Sequence, residues 1–269
     1  MIIDFHTHAF PDKIAKGTIE HLSKKADIPP FTNGTVAGLV DAMERGGVDI
    51  AVNLPVMTSP AQFESINRFA MEINARFADK ARRVISFGGI HPACDAIEEK
   101  MTWMRKGGLL GVKLHPDYQE TFINDEGYVR ILECARELDM IVLTHAGVDI
   151  GYRGCPVRCP PQLAKELIRR VPHSKLVLAH LGAAEQHMEA LEHLCGEDVY
   201  FDTGYVLRFV NKDTFQKILN KHGEDRILFG SDAPWSDMGH DVKLLKAFSP
   251  NKQTEEKLLC GNAMRLLGL

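Results

Sequence analysis

The segment Ile2-Ile3-Asp4-Phe5-His6-Thr7-His8 places two histidines one residue apart at the end of an apolar run. Side chains alternate along a strand, so both imidazoles share a face and can reach one ion. Other apolar runs also end in ionisable residues. His91 follows in Gly89-Ile90-His91-Pro92, and Lys113 and His115 in Gly111-Val112-Lys113-Leu114-His115-Pro116. His145 lies in Thr144-His145-Ala146-Gly147, His180 in Ala179-His180-Leu181-Gly182, and Asp232 in Phe229-Gly230-Ser231-Asp232-Ala233-Pro234-Trp235. Seven of the twelve histidines, counting His240 loosely, occupy such positions; His21, His173, His187, His193 and His222 read as helix residues. One histidine after a strand is more often structural than a ligand, but the joint pattern changes that reading. Borderline-soft divalent metals take imidazole nitrogen and carboxylate oxygen, and a catalytic site keeps a position for water. His6, His8, His145 and Asp232 supply three nitrogens and one carboxylate. Asp232 has one other role open to it, as a helix N-cap.

Distant segments meet only if the fold gathers strand ends. Short apolar runs at 2–5, 50–54, 84–87, 111–114, 141–144, 176–179, 199–201 and 226–229 read as eight strands. Helical patterns separate them, at about 36–45, 62–79, 96–106, 126–138, 161–171, 184–194, 213–221 and 242–248. Two short helices, near 255–259 and 262–267, close the chain. The segment 161–171 shows the periodicity well, with Leu163, Leu167, Ile168 and Val171 on one stripe. Eight strand-then-helix units predict parallel strands with crossover helices, and a single α/β domain over residues 1–269: a (β/α)8 TIM barrel, with distortion allowed. An open doubly wound sheet is the alternative. The strands are nearly unbroken apolar runs, as expected when both faces are covered. In a barrel the C-terminal strand ends surround one mouth, and closure sets strand eight beside strand one. The longest irregular stretch, 10–35, follows strand one on that side and reads as either a lid or a surface excursion.

The bulk properties exclude several classes. The net charge is −4, with 45% apolar and 25% charged residues, so neither a nucleic-acid nor a membrane-surface partner is expected. No apolar run approaches ~18 residues, and the chain enters a strand at once, so neither a bilayer span nor a signal peptide is expected. The six cysteines are scattered and do not resemble a disulfide framework, which suits a reduced, cytoplasmic protein. Cys155 and Cys159 either bind metal, oxidise to a loop staple, or are two incidental loop thiols.

Taken in order and at strand ends, His6-Thr7-His8, Thr144-His145-Ala146-Gly147, Ala179-His180-Leu181-Gly182-Ala183 and Ile227-Leu228-Phe229-Gly230-Ser231-Asp232-Ala233-Pro234-Trp235 resemble the amidohydrolase superfamily. The resemblance spans essentially the whole chain. It is strongest to the amidohydrolase-related branch that includes aminocarboxymuconate-semialdehyde decarboxylase. It implies a distorted barrel holding one or two divalent ions, usually zinc and sometimes manganese. It implies His6, His8, His145 and Asp232 as ligands and His180 as an acid/base or substrate polariser. In two-metal relatives the strand-five and strand-six histidines hold a second ion, bridged by a carboxylate from strand four. Lys113 has three readings: carboxylated bridge, contact for a substrate carboxylate, or internal salt bridge. His115 faces either the site or the wall. Gly-Ile-His-Pro at His91 is similar to the TatD-like deoxyribonucleases, but those bridge their ions with a strand-four glutamate, which this chain lacks. A homodimer is an expectation from the family alone.

The implied chemistry is attack of metal-activated water on a small, carboxylate-bearing substrate with an amide, lactone or related bond. The same cage suits a nonoxidative decarboxylase, or a hydratase, of an unsaturated or aromatic acid, because fold and ligands do not determine the reaction. A barrel that binds metal and ligand without turnover is a third class, disfavoured by the complete ligand set. Arg153 and Arg208, after strands five and seven, either clamp a substrate carboxylate or are ordinary loop arginines.

Overall fold

The computed structural model describes residues 1–269. Its strands are β1 (Ile3–Thr7), β2 (Ile50–Asn53), β3 (Arg83–Ser86), β4 (Gly88–Gly89), β5 (Gly111–Leu114), β6 (Ile141–Thr144), β7 (Leu176–Leu178), β8 (Tyr200–Asp202) and β9 (Ile227–Leu228). All pair in parallel, in the orders β1-β2-β3 and β4-β5-β6-β7-β8-β9. β3 and β4 are the third expected strand, interrupted at Phe87, whose N–H still donates to Asn53 O at 2.9 Å. The ends of the two sheets meet through individual backbone bonds: Phe5 N to Phe229 O at 2.8 Å and Asp232 N to His6 O at 2.7 Å. The architecture is therefore the expected α/β TIM barrel, distorted at two seams.

The strand alternation sorts the apolar residues into two layers. Ala51, Val84, Val112, Leu114, Val142 and Leu178 pack outward against the surrounding helices, such as α5 (Glu126–Glu137) and α6 (Pro161–Arg170). Ile3, Phe5, Val52, Phe87, Leu143, Val177 and Leu228 fill the interior. The C-terminal helix α11 (Asn262–Leu267) plugs the floor with Ala263, Leu266 and Leu267.

One irregularity decides where the first histidines point. The β1–β2 register runs Ile3 with Ile50, Asp4 with Ala51, then Thr7 with Asn53. Three steps along β1 oppose two along β2, so β1 carries a bulge. An extra residue re-aims the side chains beyond it. Simple alternation would put His6 on the face of Asp4. The bulge brings His6 and His8 to the interior side that Ile3 and Phe5 already occupy.

The stretch 10–35 differs from expectation. It contains a regular helix, α1 (Asp12–Ala26). Only Ala15 and Ile19 of that helix are buried, and Pro11 before it offers no side-chain cap, so its apolar stripe is too narrow to read from periodicity. Lys25 near its end lies 3.4 Å from the centroid of the Tyr152 ring, which ties this helix to the mouth.

Candidate metal centre

His6 leaves β1 almost fully buried, and its position admits no bulk behind it. A Cβ on Gly230 would come within 2.8 Å of His6 Cβ, and one on Gly204 within 2.9 Å of His6 Nδ1. The ring is locked by Asp202 at the end of β8, whose Oδ2 lies 2.8 Å from His6 Nδ1. Asp202 Oδ1 accepts the backbone N–H groups of His180 at 3.0 Å and Gly204 at 2.8 Å. A carboxylate only accepts, so the His6 proton sits on Nδ1 and Nε2 presents its lone pair. His8 is oriented by the same device: its Nδ1 donates to Leu54 O at 2.7 Å, leaving Nε2 bare in the neutral ring.

Both free nitrogens converge on Asp232 Oδ1, at 3.4 Å from His6 and 3.0 Å from His8. An imidazole lone pair and a carboxylate oxygen repel unless a positive charge lies between them. The donor set is that of a divalent metal centre, with the far side of each ring anchored as metal-binding histidines require. Burial pushes the Asp232 carboxyl up, but the positive charge that His6 and His8 carry when protonated outweighs it and lowers the group below the usual carboxylate range. Burial drives His6 well below its ordinary pKa, helped by the Lys113 ammonium. The residues fit the ion that the sequence implies.

Lys113 of β5 is fully buried, with Nζ 3.1 Å from His6 Nε2. Burial pulls its pKa down to about 8, against the pull of Asp202, Asp232 and Asp149. It therefore lies inside the site as an amine of tunable charge. His180 follows β7; its Nδ1 donates to Gly204 O at 2.8 Å, so its Nε2 accepts from His145 Nδ1 at 2.9 Å. Two functional candidates, His180 and Asp232, hold left-handed backbones at φ 63° and 65°. Such non-glycine residues cost of order 1 kcal/mol and persist where surrounding bonds over-determine them.

The remaining expected residues divide. The ligand atoms of His6, His8 and Asp232 form one cluster, and His115 and His145 form another with Asp149. His145 reaches the first cluster only through His180. His91 is buried but belongs to neither; its Nδ1 accepts from Ala93 N at 3.1 Å and shapes a turn. Arg153 is exposed and paired with Glu185 at the rim of a cavity of about 270 Å³ lined by Asp117, Asp149 and Tyr152. Arg208 donates to Trp235 O at 2.6 Å and lies among the rings of Phe31, Tyr205 and Phe209. His240 lies in the first turn of α9 (Met238–Phe248). Cys155 is exposed and Cys159 buried, both as free thiols.

Sequence reasoning missed Asp202 and Asp149. Asp202 had a signal: it is the strand-end residue of β8, as Asp232 is beyond β9. Asp149 had none, since it lies in the loop after β6 and joins His115 only through the fold.

Residues 3–269 match the Amidohydrolase family model, and the chain belongs to that family. Several solved structures share its fold at low identity. An uncharacterised TIM-barrel protein from Bordetella bronchiseptica superposes with a TM-score of 0.74 at 16% identity, over 99% of this chain and 98% of its own. A dihydroxybenzoic acid decarboxylase from a Polaromonas species, with bound manganese and 2-nitroresorcinol, gives 0.70 at 15% identity, over 100% and 97%. A probable 2-pyrone-4,6-dicarboxylic acid hydrolase from Acinetobacter baumannii, with citric acid bound, gives 0.70 at 16% identity, over 100% and 99%. No curated protein matches the chain. No helix is long and apolar enough to cross a membrane.

Proposed function

We propose that the protein is a metal-dependent hydrolase acting on a small carboxylate-bearing substrate with an amide, lactone or related bond. The observation that carries this reading is the convergence of His6 Nε2 and His8 Nε2 on Asp232 Oδ1 with no proton assigned between them in the neutral rings. A divalent ion bound there, zinc or manganese by the donor set, supplies Lewis acidity and a water acidified toward neutral pH. Asp232, a carboxylate once an ion lies between it and the two histidines, accepts the proton that a water nucleophile loses. Lys113 offers a positive charge to the substrate anion from inside the barrel, beside His6. His180 lies beside His6, with ring centroids 5.2 Å apart, and serves as the acid/base group once its Nε2 exchanges the His145 bond for the substrate.

A second reading is nonoxidative decarboxylation of an aromatic or unsaturated acid. It is favoured by aromatic side chains gathered at the mouth: Tyr118 packs edge-on against His115 at 4.3 Å and against Tyr152 at 5.1 Å, an aromatic surface that suits contact with a planar acid. The likeness to the decarboxylase folds supports it too. Metal-loaded protein turned over on carboxylate-bearing amides, lactones and hydroxybenzoates in H2¹⁸O separates the two. Label appearing in the product supports hydrolysis. Release of CO2 without label overturns it in favour of the second reading.

A further inference from the structure

We propose that Asp4 is a positioning residue of the metal centre: one buried oxygen of its carboxylate sets His6 and Asp232 at their mutual distance across the seam of the barrel. That role rests on reading His6, His8 and Asp232 as metal ligands, and adds the group that holds two of them in register. Asp4 lies on β1 and is fully buried, by alternation on the face opposite Ile3 and Phe5. Its Oδ1 accepts two backbone N–H groups, that of His6 at 3.1 Å and that of Ser231 at 2.9 Å. The first belongs to one ligand and the second to the residue before another. Ser231 lies 227 residues from Asp4 along the chain, so only ring closure brings them together. The two ligand atoms bracketed in this way, His6 Nε2 and Asp232 Oδ1, stand 3.4 Å apart.

The hydrogen bonds at the seam show what that oxygen replaces. Phe5 N–H donates to Phe229 O at 2.8 Å, as in a parallel ladder. In an unbroken ladder the next rung would run from Ser231 N–H to Phe5 O. Here Ser231 N–H goes to Asp4 instead, and the ladder resumes one residue on, from Asp232 N–H to His6 O at 2.7 Å. Beyond it, Ala233 N–H donates to the Ser231 hydroxyl at 3.1 Å. Side chains therefore take the N–H groups on both flanks of Asp232. Asp232 itself holds φ 65°, a conformation that persists where neighbouring bonds over-determine it. The bond to Asp4 is one of those three. On the other strand the same oxygen takes the N–H of His6, inside the β1 bulge. A carboxylate is a costly way to satisfy two amides. Its Oδ2 is buried with no hydrogen-bond partner, and the like charge of Asp241 acts on it. Such a breach of the usual rules marks a place where local geometry outweighs stability.

The test is a titration of chelator-stripped full-length protein with Co²⁺, whose visible bands report ligand geometry and whose binding curve reports affinity. Asp4→Ala removes the oxygen that both amides share. Its affinity is expected to fall about 10- to 100-fold, the usual effect of losing a group that orients a ligand, and its bands to shift. Asp4→Ser is expected to behave alike, because its hydroxyl is one bond too short to serve both amides. Asp4→Asn keeps an Oδ1 acceptor and removes only the charge. It is expected to retain the wild-type bands, whatever the lost charge does to affinity. Far-ultraviolet circular dichroism confirms that each variant is folded. Wild-type bands in a folded Asp4→Ala or Asp4→Ser overturn the positioning role even if affinity falls, since lost charge alone then accounts for the change. Shifted bands in Asp4→Asn overturn it too, whether or not the other two variants fold. A wild type that binds no Co²⁺ overturns the metal reading itself, and the role of Asp4 with it.

Discussion

At the mouth of the barrel, His6 and His8 turn lone pairs toward Asp232, and His180, Leu181, Tyr205 and Asp232 hold left-handed backbones. At the floor, Ala263, Leu266 and Leu267 of α11 close on the interior layer formed by Ile3, Phe5, Ile141 and Leu228. The first region concentrates electrostatic and conformational cost; the second concentrates apolar burial that offsets it. Function and stability are thus separated along the barrel axis, which lets either be altered with little effect on the other.

The largest expected effect lies at the mouth. Asp232→Asn keeps the side-chain shape but removes the charge that both histidines face. Turnover should fall about 10³-fold or more, roughly 4 kcal/mol of transition-state stabilisation. The metal-free melting temperature should stay level or rise, since a carboxylate facing a lone pair is removed. Steady-state kinetics and thermal melts check both halves. Undiminished turnover would break the division between the two regions.

Next comes the floor. Leu266→Ala opens a cavity where the plug meets the barrel and should cost about 3–4 kcal/mol of stability. Turnover per folded molecule should stay near the wild type at temperatures below the transition. Denaturant melts and kinetics on the same preparation read the two values. A variant that is stable yet inactive would show that the floor acts on the mouth.

A third and smaller effect sharpens the picture by leaving both ends alone. His222, at the end of α8 (Lys212–His222), stacks on Phe201 at 3.8 Å, and its Nε2 donates to Val199 O at 3.0 Å. Burial lowers its pKa from 6.5 to about 4, only partly opposed by that bond. The unfolded chain therefore binds the proton first as pH falls. The stability linked to His222 is intact above about pH 6.5 and is lost as pH falls toward 4, a total of about 3 kcal/mol at most. His222→Gln should flatten the stability profile across that window and leave turnover at neutral pH unchanged. Urea melts at several pH values decide it, and an unaltered slope would refute it.

Much of the fold was legible because its signals are local. Apolar runs of strand length, a helical stripe such as that on α6, and ionisable residues after each run all lie within a few residues of chain. Those signals are enough to indicate a barrel and to point to His6, His8 and Asp232. α1 escaped because two buried residues make no readable stripe. Asp202 escaped because the strand expected to end at 201 extends to it, which turns a loop residue into the anchor of His6.

The amino-acid order alone thus specified which residue types stand at the strand ends and the parallel topology that gathers them, since both follow from periodicity along the chain. Closure of the ring decided the rest. It brought residue 232 against residues 6 and 8, inserted the bulge that turns those histidines inward, and parted His145 from them. It also assigned each imidazole proton through partners as distant as Asp202 and Gly204. Contacts between residues so far apart in the chain depend on packing and register, which no local pattern encodes.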